Sequence, residues 1–250
     1  MTFWHACALL GAGLIAGAIN AVVGSGTLIT FPTLLALGYP AVLANVSNTV
    51  GLVPGSAAAV WAYRRELSGQ GPRLARLCPA STVGALGGAA LLFTLPTSAF
   101  RAIVPVLIAA ACVLVVVQPR LSAALARRPS GTVAHEGVLA VAVALAGVYG
   151  GYFGAAQGVL LIGLLATLSG ETDLQRCNAT KNVLAMTANL AAALAFMTVR
   201  HVDWAVAGLI AVSSIAGGLL GGRFGRRLPA VALRTFIVAI GAVAVIRLVF

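Results

Sequence analysis

The sequence predicts an all-α polytopic membrane protein built as two inverted repeats, and three observations lead there: composition, segment length and an internal repeat. Of the 250 residues, 60% are hydrophobic and 8% are charged, whereas soluble domains average about 25% charged residues. Apolar segments such as 41–63 and 174–198 are long enough to cross about 30 Å of hydrocarbon at about 1.5 Å per residue. The segments do not alternate in polarity, which excludes strands of a membrane barrel.

Ten apolar segments follow one another, and two of them, 27–37 and 158–168, are too short to span a bilayer. Each short segment comes directly after a longer one, across the breaks Gly24-Ser25-Gly26 and Gly154-Ala155-Ala156-Gln157. Glycine weakens a helix, so both breaks are predicted to interrupt one. The ten segments are 6–23, 27–37, 41–63, 77–95, 102–118, 137–153, 158–168, 174–198, 204–222 and 235–249.

The two halves of the chain repeat an ordered series of residues. An offset of 134 pairs Gly24 with Gly158, and an offset of 133 pairs Gly84 with Gly217. Each unit is interpreted as a broken, re-entrant helical hairpin followed by three transmembrane helices. The predicted division is a first membrane repeat over 1–118, a cytoplasmic linker over 119–136 and a second membrane repeat over 137–250. The other matches are Gly13 with Gly147, Gly17 with Gly151, Asn48 with Asn182, Gly88 with Gly221, Pro96 with Pro229 and Arg101 with Arg234.

The arginines predict how the two units are inserted. Loops 64–76 and 223–234 each carry four arginines and linker 119–136 carries three, so all three segments are expected in the cytoplasm. Residues 137–168 must then enter and leave on the cytoplasmic side, and residues 6–37 form the matching hairpin on the outer side. The alternative, four full spans per unit, would put the arginines of 223–234 outside. The net charge of +11 is therefore assigned to membrane orientation and not to nucleic-acid binding.

No metal, cofactor or disulfide is predicted. The four cysteines have no CxxC spacing and no histidine at ligand spacing, so they are expected to pack as small apolar residues. All five acidic residues fall at segment ends, which leaves no carboxylate chain across the bilayer for a proton relay. The glycine pairs spaced by four residues are expected to allow close helix packing. The cysteines are Cys7, Cys78, Cys112 and Cys177.

Inverted repeats with interrupted helices are typical of secondary transporters, because the exposed backbone at a break must line an enclosed or watery cavity. Helix N-termini at that cavity favour anions. Lys181 is the only lysine in the chain and lies inside an apolar helix, so it either faces the cavity or snorkels to the interface. Its counterpart at offset 134 is Ser47. The amides of Asn48 and Asn182 either contact the ligand or cap the broken helices. The candidate substrate-binding residues are Ser25, Gly26, Thr27, Asn45, Asn48, Gln157, Gly158, Asn178, Lys181 and Asn182.

A series of glycine-rich and amide-rich motifs runs in order along the whole chain. The motifs are Gly13-x3-Gly17-x6-Gly24-Ser25-Gly26, Phe31-Pro32, Gly38, Ala44-Asn45-x2-Asn48, Gly147-x2-Gly150-Gly151-x2-Gly154-x3-Gly158, Cys177-Asn178-Ala179-Thr180-Lys181-Asn182 and Gly217-x3-Gly221-Gly222-Arg223 through Leu228-Pro229. Through these motifs, the sequence resembles the TauE/SafE family of sulfite exporter-like membrane permeases over essentially its whole length. The resemblance implies a multi-pass permease of the bacterial cytoplasmic membrane that carries sulfite, sulfoacetate or related organosulfur anions. Ser25 departs from the family, which often has glycine there.

We therefore expect a non-enzymatic transporter whose partners are a small anion and the lipid bilayer. Export is favoured because an anion leaving a cell with a negative interior gains about 2.3 kcal/mol per charge per 100 mV. A passive anion channel would share the same architecture. An intramembrane serine protease using Ser25 would need a histidine base, and the three histidines fall near segment ends. The coupling ion and the oligomeric state stay open.

Overall fold

The computed structural model describes residues 2–126, 136–171, 173–225 and 230–249, and within these ranges the chain forms ten α-helices and no strands. The predicted all-α class is confirmed, and most helix ends lie within a few residues of the predicted segment ends. The helices are α1 (Phe3–Val22), α2 (Thr27–Ala36), α3 (Ala41–Ala62), α4 (Gly71–Thr94), α5 (Thr97–Ala126), α6 (Glu136–Tyr152), α7 (Gln157–Leu168), α8 (Leu174–Val199), α9 (Trp204–Phe224) and α10 (Ala230–Val249).

Five of the described helices are long and apolar enough to cross a membrane: α1, α4, α5 within Thr97–Pro119, α8 and α9. Large apolar side chains in mid-helix positions face outward, including Val83 at 69% and Val212 at 69% exposure. Such a surface is stable in lipid and not in water, so the chain is a multi-pass membrane protein. Helix α3 has 22 residues but falls outside this group because polar residues lower its hydropathy.

Helices α5 and α10 include residues from three predicted loops. Helix α5 continues to Ala126, so the predicted linker does not begin at residue 119, and residues 127–135 lie outside the described residues. Arg101 and Arg234 lie inside α5 and α10 and not beside them. Helix α5 continues through Pro119, which a membrane helix tolerates because neighbouring helices satisfy the freed backbone groups. Residues 226–229 also lie outside the described residues.

The two units interlock. Helix α1 packs on α9, and its counterpart α6 packs on α4; likewise α3 packs on α9 and α8 on α4. The pairs α3 with α8 and α5 with α10 join equivalent helices of the two units. Glycine allows the close approach, because a Cβ on Gly84 would lie 2.0 Å from the Ala144 carbonyl oxygen and one on Gly217 would lie 2.0 Å from the Leu14 carbonyl oxygen. The prediction that the glycine pairs serve helix packing is confirmed.

The structure corrects the register of the internal repeat in the hairpins. Helices α3 and α4 begin at residues 41 and 71, and α8 and α9 begin at 174 and 204, which keeps the offset of 133. In contrast, α2 and α7 begin at Thr27 and Gln157, an offset of 130. Gly24 therefore corresponds to Gly154 and not to Gly158, and Lys181 corresponds to Asn48 and not to Ser47.

One end of the molecule is held together by arginines, and we call it the Arg73 end. Arg73 donates to the carbonyl of Ser169 at 3.0 Å, and Arg76 forms an ion pair with Glu136. The start of α4 therefore lies beside the start of α6 and the end of α7. Both ends of the second hairpin lie at this end of the molecule.

The opposite end, which we call the Arg200 end, joins other helix termini. Arg200 donates to the carbonyls of Leu92 and Phe93 at 3.4 and 3.3 Å, so α8 and α4 end together. Asp203 begins α9 here, and its N–H donates to the Ser47 hydroxyl near the start of α3 at 2.9 Å. Four residues separate the end of α2 from the start of α3. Helix α2 therefore ends at the Arg200 end.

Candidate functional site

The first break separates α1 from α2. The N–H groups of Val23 and Gly24 donate to the carbonyl of Ile19 at 2.7 and 3.0 Å, which closes α1. Gly24 has φ +83°, a left-handed conformation that favours glycine. The Asn20 side-chain oxygen accepts a hydrogen bond from the Gly26 N–H at 3.0 Å, across the break. The break is therefore an ordered turn that is stabilised by a side chain of α1.

The second break repeats this geometry. The N–H groups of Phe153 and Gly154 donate to the carbonyl of Tyr149 at 3.0 and 3.1 Å, and Gly154 has φ +75°. The Gln157 side chain lies against Gly150, where an added Cβ would be 2.3 Å from its amide carbon. Gly150 corresponds to Asn20, so Gln157 fills the space that the Asn20 amide occupies in the first break.

The two breaks contact each other inside the protein. The Gly158 N–H donates to the Gly24 carbonyl at 3.1 Å. A Cβ on Gly158 would lie 2.5 Å from the Gly24 Cα and 3.0 Å from the Lys181 Cδ. Only glycine permits this approach, so these positions close the breaks on one another next to the lysine.

One face of α8 binds the C-terminal end of α1. The Lys181 ammonium donates to the carbonyls of Asn20 and Ala21 at 3.0 and 3.4 Å. The side-chain amides of Asn178 and Asn182 donate to the same Ala21 carbonyl at 3.1 and 3.3 Å. These three side chains share a face because they lie three and four residues apart on a helix. They satisfy carbonyl groups that a helix end leaves without partners.

The corresponding face of α3 binds the other hairpin. Asn45 donates to the Tyr152 carbonyl at the end of α6 at 3.0 Å. Asn48 instead binds α2 of its own unit, accepting from the Thr30 hydroxyl and donating to the Thr27 hydroxyl at 3.4 Å. The two faces are therefore alike at Asn45 and Asn178 but differ at the next position, where only the second unit has a cation.

Several side-chain atoms around the breaks are buried and have no hydrogen-bond partner. An unpaired buried polar atom costs about 1–3 kcal/mol, so each of these atoms calls for a partner such as a water or a ligand. The atoms are Ser25 Oγ, Asn45 Oδ1, Tyr152 OH, Gln157 Nε2, Asn178 Oδ1 and Thr180 Oγ1.

Lys181 dominates the electrostatics of the site. Its side chain is fully buried, at 0% exposure, so it does not snorkel to the interface. The described ion pairs all lie at the Arg73 end and none includes Lys181. Among the described residues, its charge is balanced only by main-chain carbonyls at the negative end of α1.

All ten predicted site residues lie on or beside the two breaks, and their role as ligands stays a prediction. Three neighbours of the site were not predicted from the sequence: Asn20, which bridges the first break; Thr30, which binds Asn48; and Tyr152, which binds Asn45. Asn20 was recognisable as an amide four residues before a break glycine in an apolar helix. Thr30 and Tyr152 have no comparable signal in the sequence.

The fold and this site define a class: multi-pass helical membrane proteins in which two interrupted hairpins meet around buried polar groups. The family model of the sulfite exporter TauE/SafE matches residues 9–248, so the chain belongs to that family. It is accordingly a membrane transporter, a multi-pass protein of the bacterial inner membrane, and its partners are a small-molecule substrate and the lipid bilayer.

Relatives with curated names cover nearly the whole chain. The chain is 27% identical over 241 residues to the Escherichia coli K12 protein named "Probable membrane transporter protein YfcA", covering 95% of this chain and 87% of that protein. It is 27% identical over 240 residues to "Probable membrane transporter protein ORF9" of a Sinorhizobium species, covering 96% and 90%. A Haemophilus influenzae "Probable membrane transporter protein" is 26% identical over 211 residues, covering 84% and 81%. No solved structure matches the chain.

Proposed function

We propose that this transporter carries small sulfur oxyanions or organosulfonates such as sulfite out of the cell, and binds them where the two helix breaks meet. The observation that carries the proposal is the fully buried Lys181 ammonium, whose partners among the described residues are main-chain carbonyls. Its neighbour on α8, Asn178, has an unpaired amide oxygen. The family name, sulfite exporter, favours the same substrate class.

Charge supports an anionic substrate. A cation held in a membrane helix without a counter-ion is costly, and a bound anion offsets part of that cost. The carbonyls that now contact the ammonium are weaker partners than an oxyanion, which forms charge-assisted hydrogen bonds. A bound anion can therefore replace the carbonyls of Asn20 and Ala21 as the hydrogen-bond acceptor of Lys181.

Unpaired donors support an oxyanion in particular. The side-chain nitrogen of Gln157 and the hydroxyls of Ser25 and Thr180 are buried without acceptors. Sulfite and sulfonate groups present three oxygens around one sulfur, so several donors can be satisfied at once. A halide presents no such arrangement.

We also propose that the two units are inserted in opposite directions and that the breaks separate during transport. Both ends of the second hairpin lie at the Arg73 end, and α2 ends at the Arg200 end, which supports opposite insertion. The Gly24–Gly158 hydrogen bond closes the breaks against each other, so a substrate passing between them must open it. A carrier with alternating access fits this closed contact better than an open channel.

Catalysis is not part of the proposal. The Ser25 hydroxyl has no hydrogen-bond partner. His5 lies in the first turn of α1 and His201 in the α8–α9 loop, while His135 lies outside the described residues. A serine nucleophile needs an adjacent base, so a transporter fits these positions better than a protease.

Anion flux into liposomes tests the proposal. Lys181→Met removes the ammonium at nearly constant volume, and the Ala21 carbonyl keeps the amides of Asn178 and Asn182. Loss of a charge-assisted hydrogen bond of about 1.5–3 kcal/mol predicts a 10- to 100-fold weaker apparent affinity for sulfite. Arg101→Met, which removes an exposed cation from α5, is the matched control and should keep wild-type affinity. Saturable sulfite flux with unchanged affinity in Lys181→Met would refute the site.

Single-cysteine labelling tests the opposite insertion. In a background without native cysteines, residues 68 and 173 should react with a membrane-impermeant maleimide only from the cytoplasm. Residues 39 and 201 should react only from outside. Labelling of residues 68 and 173 from opposite sides would show that the second hairpin crosses the membrane.

A further inference from the structure

The amide oxygens of Asn45 and Asn178 are acceptors without donors. Each amide nitrogen donates to a main-chain carbonyl, of Tyr152 and of Ala21. A carbonyl can only accept, so each amide must turn its nitrogen to that carbonyl and its oxygen away. Both oxygens are buried and have no donor, and Asn45 is 0% and Asn178 7% exposed.

These oxygens cannot be satisfied by the oxygens of a sulfonate or sulfite. An oxyanion that carries no hydrogen presents acceptors only, and acceptor facing acceptor is repulsive. The donors of the site, Gln157 Nε2, Ser25 Oγ and Lys181 Nζ, are the groups that suit the charged oxygens. The site therefore presents hydrogen-bond donors that suit the charged oxygens of a ligand, and hydrogen-bond acceptors that suit a donor group on the same ligand.

Asn178 stands next to the cation. Its amide nitrogen and the Lys181 ammonium donate to the same Ala21 carbonyl, at 3.1 and 3.4 Å. The two nitrogens are therefore no farther apart than the sum of these distances, which is within the length of a small organic anion. A ligand whose charged group binds Lys181 can reach Asn178 with a second group.

The second unit repeats the first in this respect. Asn45 and Asn178 correspond at the offset of 133, and each binds the C-terminal end of the other unit's first helix. Holding that helix end requires only the amide nitrogen. The unpaired oxygens are left for another partner at both positions.

From these contacts we infer that the site takes an anion that also donates a hydrogen bond, such as a hydroxyl-bearing sulfonate or a protonated oxyanion, with Asn178 and Asn45 as the acceptors. This inference rests on the proposed function and defines its substrate more narrowly. It also gives the site a way to reject anions of equal charge and size, because an analogue without the donor leaves a buried acceptor unpaired.

Two matched sulfonates test the inference. 2-Hydroxyethanesulfonate and propanesulfonate have the same charge and nearly the same size, and differ by a hydroxyl in place of a methyl group. Competition against sulfite flux in liposomes gives the apparent affinity of each. We expect the wild-type protein to bind 2-hydroxyethanesulfonate at least about 10-fold more tightly than propanesulfonate. This difference corresponds to one buried hydrogen bond that propanesulfonate cannot make.

Variants then locate the acceptor. Asn178→Leu and Asn45→Leu each remove one oxygen, and the preference for the hydroxyl compound should fall toward unity in at least one of them. The preference is a ratio within one variant, so a general loss of folded protein does not change it. Ser56→Ala is the control on α3: its hydroxyl is buried but bound to the Leu52 carbonyl at 3.0 Å, so the preference should persist.

The outcomes separate this inference from the proposed function. If neither sulfonate competes and sulfite flux is absent, the proposed function itself is wrong. If both sulfonates compete equally, or both leucine variants keep the preference, only the hydrogen-bond inference is wrong, and a buried water would then be the partner of these oxygens.

Discussion

The contact between the two breaks predicts the effect of a single methyl group. In Gly158→Ala the new Cβ would lie 2.5 Å from the Gly24 Cα, and ordinary contact requires at least 3.4 Å. The breaks must therefore separate by about 1 Å, which stretches the 3.1 Å Gly158–Gly24 hydrogen bond beyond hydrogen-bond range.

The cost has two parts. Overpacking a closed interior costs about 1–3 kcal/mol, and leaving buried backbone groups unpaired costs about 1–3 kcal/mol. We expect Gly158→Ala to lose about 2–6 kcal/mol of the free energy of unfolding, and its Tm to fall by roughly 4–24 °C. Thermal unfolding of the purified protein in detergent, followed by tryptophan fluorescence, measures this change.

The control is another glycine. Gly208 lies within α9 and a Cβ there would meet nothing within 4 Å, so Gly208→Ala should be neutral or slightly stabilising. Sulfite flux should fall in Gly158→Ala and persist in Gly208→Ala. Wild-type Tm and flux in Gly158→Ala would refute the closed contact between the breaks.

Three further substitutions have predictable effects on the Tm. Glu171→Gln removes the carboxylate shared by Arg73 and Arg176 at 3.8 and 3.0 Å; because these groups are partly exposed, the loss should be about 1 kcal/mol or less and should shrink in high salt. Asp173→Ala removes the N-cap of α8 and should cost about 1 kcal/mol, while Asp173→Ser should restore most of it. Ser81→Ala removes a buried hydroxyl bound at 2.9 Å to a carbonyl of α8 and should cost about 1–2 kcal/mol, and an unchanged Tm would show that this bond is not made.

Much of the fold could be predicted because bilayer thickness fixes helix length. The two short helices and the breaks before them could be predicted from the short apolar segments that follow Gly24 and Gly154. Lys181 could be recognised as a candidate because a lone lysine in an apolar membrane helix must face a cavity, a partner or the interface. These features depend on local composition, which a single sequence contains.

The register of the hairpins could not be predicted. Small residues recur about once per turn in α1 and α6, so sliding the comparison by four residues places glycine on nearly the same helix face. Offsets of 134 and 130 therefore fit the sequence similarly. The starts of α2 and α7 and the left-handed conformations of Gly24 and Gly154 distinguish them. With the corrected offset, the residue of the first unit that corresponds to Lys181 is Asn48 and not Ser47.

The contacts within the site could not be predicted from the sequence either. Tyr152 takes part through its main-chain carbonyl, which any residue type would supply. Asn178 and Lys181 meet on the Ala21 carbonyl, more than 150 residues away along the chain. Such pairings depend on how the helices cross, and crossing is decided by packing between the two units.

The interlocking of the units has a consequence for biosynthesis. The glycine face of α1 packs on α9, which begins only at residue 204. At 5–20 residues per second, the ribosome needs roughly 10–40 seconds to reach that helix after completing the first. During that interval α1 stands in the membrane without its partner, and a half-length chain ending before α9 should be a substrate for quality-control proteases rather than a stable intermediate.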